Sequence, residues 1–180
     1  MLRLFVGIEL PVSVRQRLTD LQCDYAGARW HAAEQLHLTL NFIGSFDGER
    51  LPELATAVAG VAAAPLTIQP RGVGYFGAPE RPLVVWAGVA PSPQLQQLYA
   101  ELENRLVPLG VEPEDRHYTP HITLARVRQS EPLADFLRLH AGFSVPPFTV
   151  EQICLFLSSR GEHGAEYRVI QRFPLMGCAG

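Results

Sequence analysis

Two histidines carry the first chemical signal in this 180-residue chain. The phrase Gln35-Leu36-His37-Leu38-Thr39-Leu40-Asn41-Phe42 returns as Pro120-His121-Ile122-Thr123-Leu124-Ala125-Arg126. An unperturbed imidazole titrates near pH 6.5, so a pair of them supplies both protonation states near neutrality. The chemistry that needs two imidazoles and nothing else is general acid with general base. One neutral ring takes a proton from an attacking nucleophile, and the other, as imidazolium, gives one to the leaving oxygen. Each positioned transfer is typically worth roughly a hundred- to ten-thousand-fold in rate.

The elements that must position these rings read as β-strands. Polar and apolar residues alternate in both phrases, β-branched Thr and Ile are present, and turn formers flank them. A period of two puts His37 and Thr39 on one face with Leu38 and Leu40 on the other, and His121 and Thr123 opposite to Ile122 and Leu124. Each strand thus buries two aliphatics and presents an imidazole beside a hydroxyl. Thr39 and Thr123 are then placed to donate hydrogen bonds to charged non-bridging oxygens. A phosphodiester supplies two such oxygens, and charge growing on them in the transition state meets preset donors. Arg126 ends the second phrase as a natural phosphate clamp. Its even position, however, shares the parity of Ile122 and Leu124, so only a bulge or the strand's end turns it toward the cleft. Substrate contact and a structural ion pair both stay open for it.

Other chemistries fit less well. His117 and His121 have the i, i+4 spacing of helical zinc ligands, but Pro120 interrupts a regular helix there. Along a strand four positions span about 13 Å, against zinc–nitrogen bonds of about 2.0–2.1 Å. Neither phrase holds an Asp, Glu or Cys to complete a ligand set, so no metal is expected. No G-x-S-x-G occurs and no Cys lies near either histidine strand, which argues against a nucleophilic Ser or Cys. Gly72-x-Gly74-x-x-Gly77 follows no clear strand-to-helix turn and is a weak phosphate-loop signal. His31, His140 and His163 lack a partner pattern and read as structural or solvated. Trp30 beside Arg29 reads as a buried loop anchor before it reads as a base-stacking platform. The same reading holds for Tyr118 and for the Tyr75-Phe76 pair.

In chain order, Leu2–Leu10 is expected to be a strand, and Pro11 opens a helix carrying Val14, Leu18 and Leu21, stopped by Gly27. A loop through Arg29, Trp30 and His31 feeds the first histidine strand, which ends at Gly44-Ser45. Arg50–Ala64 reads as a helix closed by Pro65, with strands at Leu66–Gln69 and Val73–Phe76. The order then repeats. Leu83–Val89 is a strand, Pro91-Ser92-Pro93 opens a helix with Leu95, Leu98, Leu102 and Leu106 that ends at Pro108-Leu109-Gly110, and a polar loop through residues 112–116 leads to the second histidine strand. A helix at Leu133–His140, a strand at Phe148–Ser158, a turn at Gly161–Gly164 and a strand at Tyr167–Pro174 complete the chain. Strand, helix, loop and histidine strand occurring twice is the mark of a duplicated half. Two half-sheets related by a pseudo-two-fold axis would turn both imidazole faces toward a common cleft.

Bulk properties agree with one compact unit over residues 1–180. Hydrophobic residues make up 47% and charged ones 18%, ordinary values for a globular chain. A net charge of −3 and a pI near 6.1 exclude a broad nucleic-acid-coating surface, so an anionic partner must be held locally. Cys23, Cys154 and Cys178 are odd in number and widely spaced, which suits a reducing cytoplasm better than a disulfide framework. Arg3, Glu9 and Pro11 break any signal-peptide core at the N-terminus, and no apolar run reaches the roughly 18 residues of a membrane span.

The paired His-x-Thr phrases, with Arg29-Trp30 before the first and Ala125-Arg126 after the second, resemble the bacterial RNA 2′,3′-cyclic phosphodiesterases, also called 2′-5′ RNA ligases, of the two-histidine phosphoesterase superfamily. The likeness extends to Arg3-Leu4-Phe5-Val6-Gly7-Ile8 and to the Leu83–Val89 strand. It implies a bilobal α/β (α+β) fold of two similar, interleaved halves, with mainly antiparallel sheets lining a central groove and helices outside. It also implies cofactor- and metal-free opening of a terminal RNA 2′,3′-cyclic phosphate to a 2′-phosphate. On that pattern His37 protonates the departing 3′ oxygen, His121 activates water, and Thr39 and Thr123 hold the phosphate. Arg116-His117-Tyr118-Thr119-Pro120 departs from the family, which often carries a further arginine or a proline-rich run there. The expected partner is an RNA end, with no membrane and no obligate protein partner, for a monomer. Ligation to a 5′-hydroxyl, action on small cyclic nucleotides, and a non-catalytic RNA-end-binding module are the alternatives.

Overall fold

The computed structural model describes the chain except residues 26, 79–80, 129–132, 163 and 178–180. His163 and Cys178, singled out above, therefore lie outside the described residues. The first part of the chain folds as β1 (Leu2–Glu9), α1 (Val12–Thr19), β2 (Ala28–Trp30), β3 (His37–Phe46), α2 (Leu51–Ala59), β4 (Leu66–Ile68) and β5 (Pro70–Ala78). The second part gives β6 (Arg81–Val89), α3 (Pro93–Leu106), β7 (His121–Val127), α4 (Ala134–Leu139), β8 (Phe148–Val150), β9 (Gln152–Gly161) and β10 (Gly164–Pro174).

Among the described residues the main sheet runs β10-β9-β1-β3-β7-β6-β5, with β2 added beside β7, and every pairing is antiparallel. The two halves meet at β3 and β7, paired through Leu38 and Ile122. The half-sheets expected from the repeat are thus one continuous surface with the histidine strands side by side at its middle. Mixed α and β elements around a large antiparallel sheet agree with the fold class read from the sequence.

One side of the sheet is covered by helices. Leu4, Val6 and Ile8 of β1, Leu38 and Leu40 of β3, and Ile122 and Leu124 of β7 join the buried helical residues Val14, Leu18, Leu54, Val58, Leu95, Leu98, Leu102 and Leu106 in one hydrophobic cluster. The α3 leucines recur at the 3.6-residue period and are at most 1% exposed. Truncating one to alanine costs about 2–5 kcal/mol. As its Ser-Pro opening suggests, α3 is capped by the Ser92 hydroxyl, which accepts from Leu95 N at 3.2 Å, with Pro93 in the first turn. A smaller cluster of Phe5, Cys154 and Phe156, with Tyr167 and Val169 against it, forms separately.

Several boundaries differ from the sequence reading. Helix α1 stops at Thr19, because Leu21 N and Gln22 N bond to Leu18 O and Thr19 O three residues back and tighten the chain out of the helix. Leu21 is buried nonetheless. Arg29-Trp30 is not a loop but part of β2, paired with Ala125–Arg126 of β7. Helix α2 ends at Ala59, and Ala62 N is captured by the Glu101 carboxylate at 2.9 Å. The long strand expected at 148–158 divides at Glu151, whose carbonyl accepts from Leu175 N at 2.8 Å. Before that point β8 pairs with β4, and after it β9 pairs with β1 and β10.

Candidate active site

The histidine strands share a backbone deviation as well as a sequence. In β3, Thr39 lies opposite Gly7 and Asn41 opposite Val6, which leaves Leu40 as an extra residue. In β7, Thr123 lies opposite Trp86 and Ala125 opposite Val85, which leaves Leu124 extra. A bulge reverses the facing of everything after it. The seven residues that start at His37 and the seven that start at His121 accordingly show one burial sequence: half-buried, buried, half-buried, buried, buried, exposed, buried. Gly7 permits the close approach at the first bulge, since a Cβ there would sit 2.7 Å from the Leu38 carbonyl. The bulge also puts Arg126 on the face of His121 and Thr123, the facing that simple alternation denied it. Phe42 takes the corresponding place after His37 and is 65% exposed.

Both imidazoles are held alike. Nδ1 of His37 donates to the Gln35 carbonyl at 2.7 Å, and Nδ1 of His121 donates to the Thr119 carbonyl at 2.7 Å. A carbonyl oxygen only accepts, so each Nδ1 carries the proton and each Nε2 is left for other chemistry. Gln35 is itself fixed, as its side chain accepts from Ala32 N at 2.8 Å and donates to the Ala165 carbonyl at 2.6 Å. The hydroxyls of Thr39 and Thr123 make no hydrogen bond among the described residues. The Thr39 carbonyl accepts from Tyr118 Oη at 3.0 Å, and Tyr118 stacks on Tyr99 with ring centroids 4.1 Å apart. Tyr118 therefore fastens the loop before β7 onto β3.

The surroundings of the two rings differ. His37 packs against Phe5 at 4.8 Å, Tyr167 at 4.7 Å and Phe156 at 5.6 Å between centroids. His121 meets Phe76 edge-on at 4.8 Å and Trp86 at 6.3 Å. Burial lowers the pKa of both imidazoles. His37 is taken down to about 4, chiefly by desolvation with a further contribution from His121, against the Gln35 hydrogen bond; His121 is lowered by desolvation, against the Thr119 bond. Burial thus favours the neutral form of both rings, and an anion between them would raise both values.

His31, read as structural or solvated, is buried beside this site. Its backbone N donates to the carbonyl of the bulge residue Leu124 at 2.8 Å, and its carbonyl accepts from Gln22 Nε2 at 2.8 Å. Desolvation is the main reason its pKa is pushed down to about 4, with His37, Arg126 and Arg29 adding to the effect. Trp30 is half-buried against Phe136, an anchor rather than a stacking platform, and His140 packs on the same Phe136. His117 lies exposed in the loop before β7, outside any helix. No group of three or more His, Cys, Asp or Glu among the described residues is arranged to hold a metal ion.

Sequence reasoning missed the rings around His37. Phe156 and Tyr167 lie on β9 and β10, outside both repeated phrases, and reach His37 only because β1 brings β9 next to the histidine half of the sheet. It also missed the pair of Glu9 and Arg172, whose carboxylate and guanidinium meet through two bonds of 2.9 and 3.1 Å. Glu9 stands directly opposite His37 in the β1–β3 register. No local pattern marks either residue.

Comparison with known proteins follows the same lines. Residues 10–162 match the family model of the 2′-5′ RNA ligase superfamily. A curated relative, the RNA 2′,3′-cyclic phosphodiesterase of Archaeoglobus fulgidus, is 30% identical over 176 residues, which span 96% of this chain and 99% of the relative. A crystal structure of a Thermus thermophilus protein superposes with a TM-score of 0.84 at 28% identity, covering 98% of this chain and 99% of that one. Escherichia coli LigT complexed with 3′-AMP gives a TM-score of 0.78 at 26% identity, covering 97% and 98%. By sequence and by fold, the chain belongs to the 2′-5′ RNA ligase superfamily.

Proposed function

We propose that this protein hydrolyses RNA 2′,3′-cyclic phosphate ends to 2′-phosphomonoesters by acid–base catalysis with His37 and His121. One observation carries the reading: two imidazoles on adjacent central strands, each with Nδ1 tied to a backbone carbonyl and Nε2 free. The names of the relatives supply the substrate class. In the step itself, Nε2 of His121 removes a proton from water as the water oxygen bonds to phosphorus. The bond from phosphorus to O3′ breaks, and Nε2–H of His37 delivers its proton to O3′. The pair ends with its protonation reversed and resets by exchange with solvent. Thr39 and Thr123 donate to the non-bridging oxygens, and Arg126 adds positive charge on the same face. The substrate's negative charge offsets the burial that depresses the His37 pKa, so the acid is protonated when it is needed. No metal or cofactor enters the step. The two lobes act as one unit, as a monomer in the reducing cytoplasm; no helix among the described residues is long and apolar enough to cross a membrane.

Ligation of the cyclic end to a 5′-hydroxyl in place of water is the second reading, supported by the superfamily to which the chain belongs. The test is turnover of a 2′,3′-cyclic nucleotide in excess EDTA by the native chain and by His37→Ala and His121→Ala. Turnover that survives EDTA and is lost in both variants is the expected result. Loss with EDTA overturns the metal-free step, and binding without turnover overturns the enzyme in favour of an RNA-end-binding module.

A further inference from the structure

The β5 edge, on the far side of His121 from His37, carries a cavity of about 360 Å³. Gln69, Arg71, Phe143 and Ser144 are among the residues that line it, and none of the described lining residues is a carboxylate. Resting on the acid–base step proposed above, we propose that this cavity is a second phosphate site. It holds the first internucleotide phosphate of an RNA strand whose 5′-hydroxyl takes the place of water.

A bulge turns Arg71 toward the reacting groups. In the β5–β6 register Pro70 lies opposite Val89 and Val73 opposite Ala87, so Arg71 and Gly72 together face Gly88. Gly72 takes a φ of +73°, a conformation open to glycine and strained for other residues. The glycine pattern that begins there is thus a bulge former and not a phosphate loop. Pro70 is buried and Val73 packs on the core. Arg71 therefore lies on the opposite face, the one that Gly88 shares with its partner His121. Two strand spacings, about 10 Å, separate its backbone from that of His121. Gly88 puts no side chain between them, and a Cβ there would meet the Arg71 carbonyl at 2.8 Å. On the outer side Gly72 N donates to the Phe143 carbonyl at 2.8 Å and Val145 N to the Pro70 carbonyl at 3.0 Å, so the backbone is held from both edges.

The donors suit an anion. Arg71 is exposed and its guanidinium makes no hydrogen bond or ion pair among the described residues. The Ser144 hydroxyl accepts from Gln69 Nε2 at 3.0 Å and keeps its own proton to donate. A guanidinium and a hydroxyl with no acid beside them bind phosphate oxygens. Hydrolysis has no use for such a site on this flank. When the cyclic phosphate opens, the ribose stays with the departing oxygen on the His37 side, and the nucleophile enters on the His121 side. Water needs no grip there, but a nucleoside does. Phe76, 38% exposed, stands edge-on to His121 at 4.8 Å, and the Trp86 ring lies across Gly74, so an aromatic surface runs from His121 toward Arg71. Bases stack on such a surface whatever their identity. The phosphate on the 3′ oxygen of that nucleoside then falls one sugar farther on, toward Arg71. In the step, Nε2 of His121 takes the hydroxyl proton as O5′ bonds to phosphorus. The bond from phosphorus to O3′ breaks, and O3′ takes the proton of Nε2–H of His37. A 2′-5′ diester remains, and the pair resets by exchange with solvent.

The test offers 2′,3′-cyclic CMP as donor with adenosine or adenosine 3′-phosphate as acceptor, and reads the ratio of 2′-5′ transfer product to hydrolysed donor by chromatography. Both routes share one donor complex, so competition for the donor side and any general loss of activity cancel in the ratio. In the native chain, at equal subsaturating concentrations, the phosphorylated acceptor should give a ratio about ten-fold higher, the value of a hydrogen bond to a charged group. Arg71→Met should bring the two ratios together. Arg71→Lys should keep part of the preference, because the charge remains without the planar fork. Ser144→Ala should lower the preference by less than Arg71→Met does. Equal ratios for the two acceptors in the native chain, or a preference that Arg71→Met leaves intact, would overturn the phosphate site. Hydrolysis with no transfer to either acceptor would overturn it too, and would leave the hydrolytic step standing. A native chain that opens no cyclic donor would overturn that step itself and the phosphate site with it.

Discussion

The β3 half and the β7 half present the same backbone and different company. Each carries a histidine whose Nδ1 bonds the carbonyl two residues back, a threonine two residues on, and an extra residue, Leu40 or Leu124, that reverses the facing afterwards. Past that bulge one half exposes Phe42 and the other Arg126. Opposite the histidines, Glu9 faces His37 where Gly88 faces His121. Three aromatic rings surround His37 and two flank His121. The shared features orient a proton-carrying nitrogen; the unshared ones differ in charge, ring area and depth, and so suit different parts of a substrate. Equivalent backbones thus place two like groups, and the residues around them assign unlike tasks.

The largest effect expected from breaking this likeness is on proton transfer. His37→Ala and His121→Ala should each lower kcat on a 2′,3′-cyclic nucleotide by roughly a hundred- to ten-thousand-fold. The two variants should then part company on a phosphodiester whose leaving group is p-nitrophenol. A leaving group that departs without a proton should restore much of the activity of His37→Ala and little of that of His121→Ala, as steady-state rates would show. Equal rescue of both would abolish the assigned roles, and rescue of His121→Ala alone would reverse them.

Next in size is the pair exposed by the bulges. Arg126→Ala should lower kcat/KM by about ten- to a hundred-fold, the value of a hydrogen bond to a charged group. Phe42→Ala should cost less, because no charge is lost. A larger loss at Phe42 would mean that Arg126 points to solvent and not to the phosphate.

Acid stability separates the halves more finely. An unfolded histidine titrates near 6.5, whereas folded His37 does so at about 4. Between those values the unfolded chain holds more protons, so stability is complete above about pH 6.5 and is lost as pH falls toward 4. His31 contributes in the same window and with the same sign. Urea midpoints at pH 7 and pH 4.5 should differ less in His37→Gln than in the native chain; an unchanged difference would place the acid sensitivity elsewhere. The smallest effect belongs to Tyr118→Phe, which removes the bond to the Thr39 carbonyl and should cost about 1 kcal/mol of stability in denaturant unfolding.

Much of the architecture was legible because it is local. The alternation in Leu38, Leu40, Ile122 and Leu124 marks strands, and the leucine period of Pro93–Leu106 marks a helix with its Ser92-Pro93 start. The histidine–threonine pairs were legible for another reason: a repeated phrase at matching places in a repeated order implies symmetric placement. What escaped was set by pairing. Arg29-Trp30 reads as a loop in isolation, and becomes a strand because the β7 edge beyond Ile122 is free to receive it. Arg126 has the wrong parity until the bulge at Leu124 corrects it, and no residue type announces that bulge.

The sequence by itself determined the paired histidines, the strand–helix order and the aliphatic faces, since each depends on residue type and on periods of 2 or 3.6 along the chain. Only the tertiary structure decided that β3 and β7 touch, that Arg126 shares the face of His121, and that Phe156, Tyr167 and Arg172 from the end of the chain gather around His37. Those outcomes depend on which backbone edges hydrogen-bond to one another, and a sheet's strand order and register are properties of distant segments that no local pattern contains.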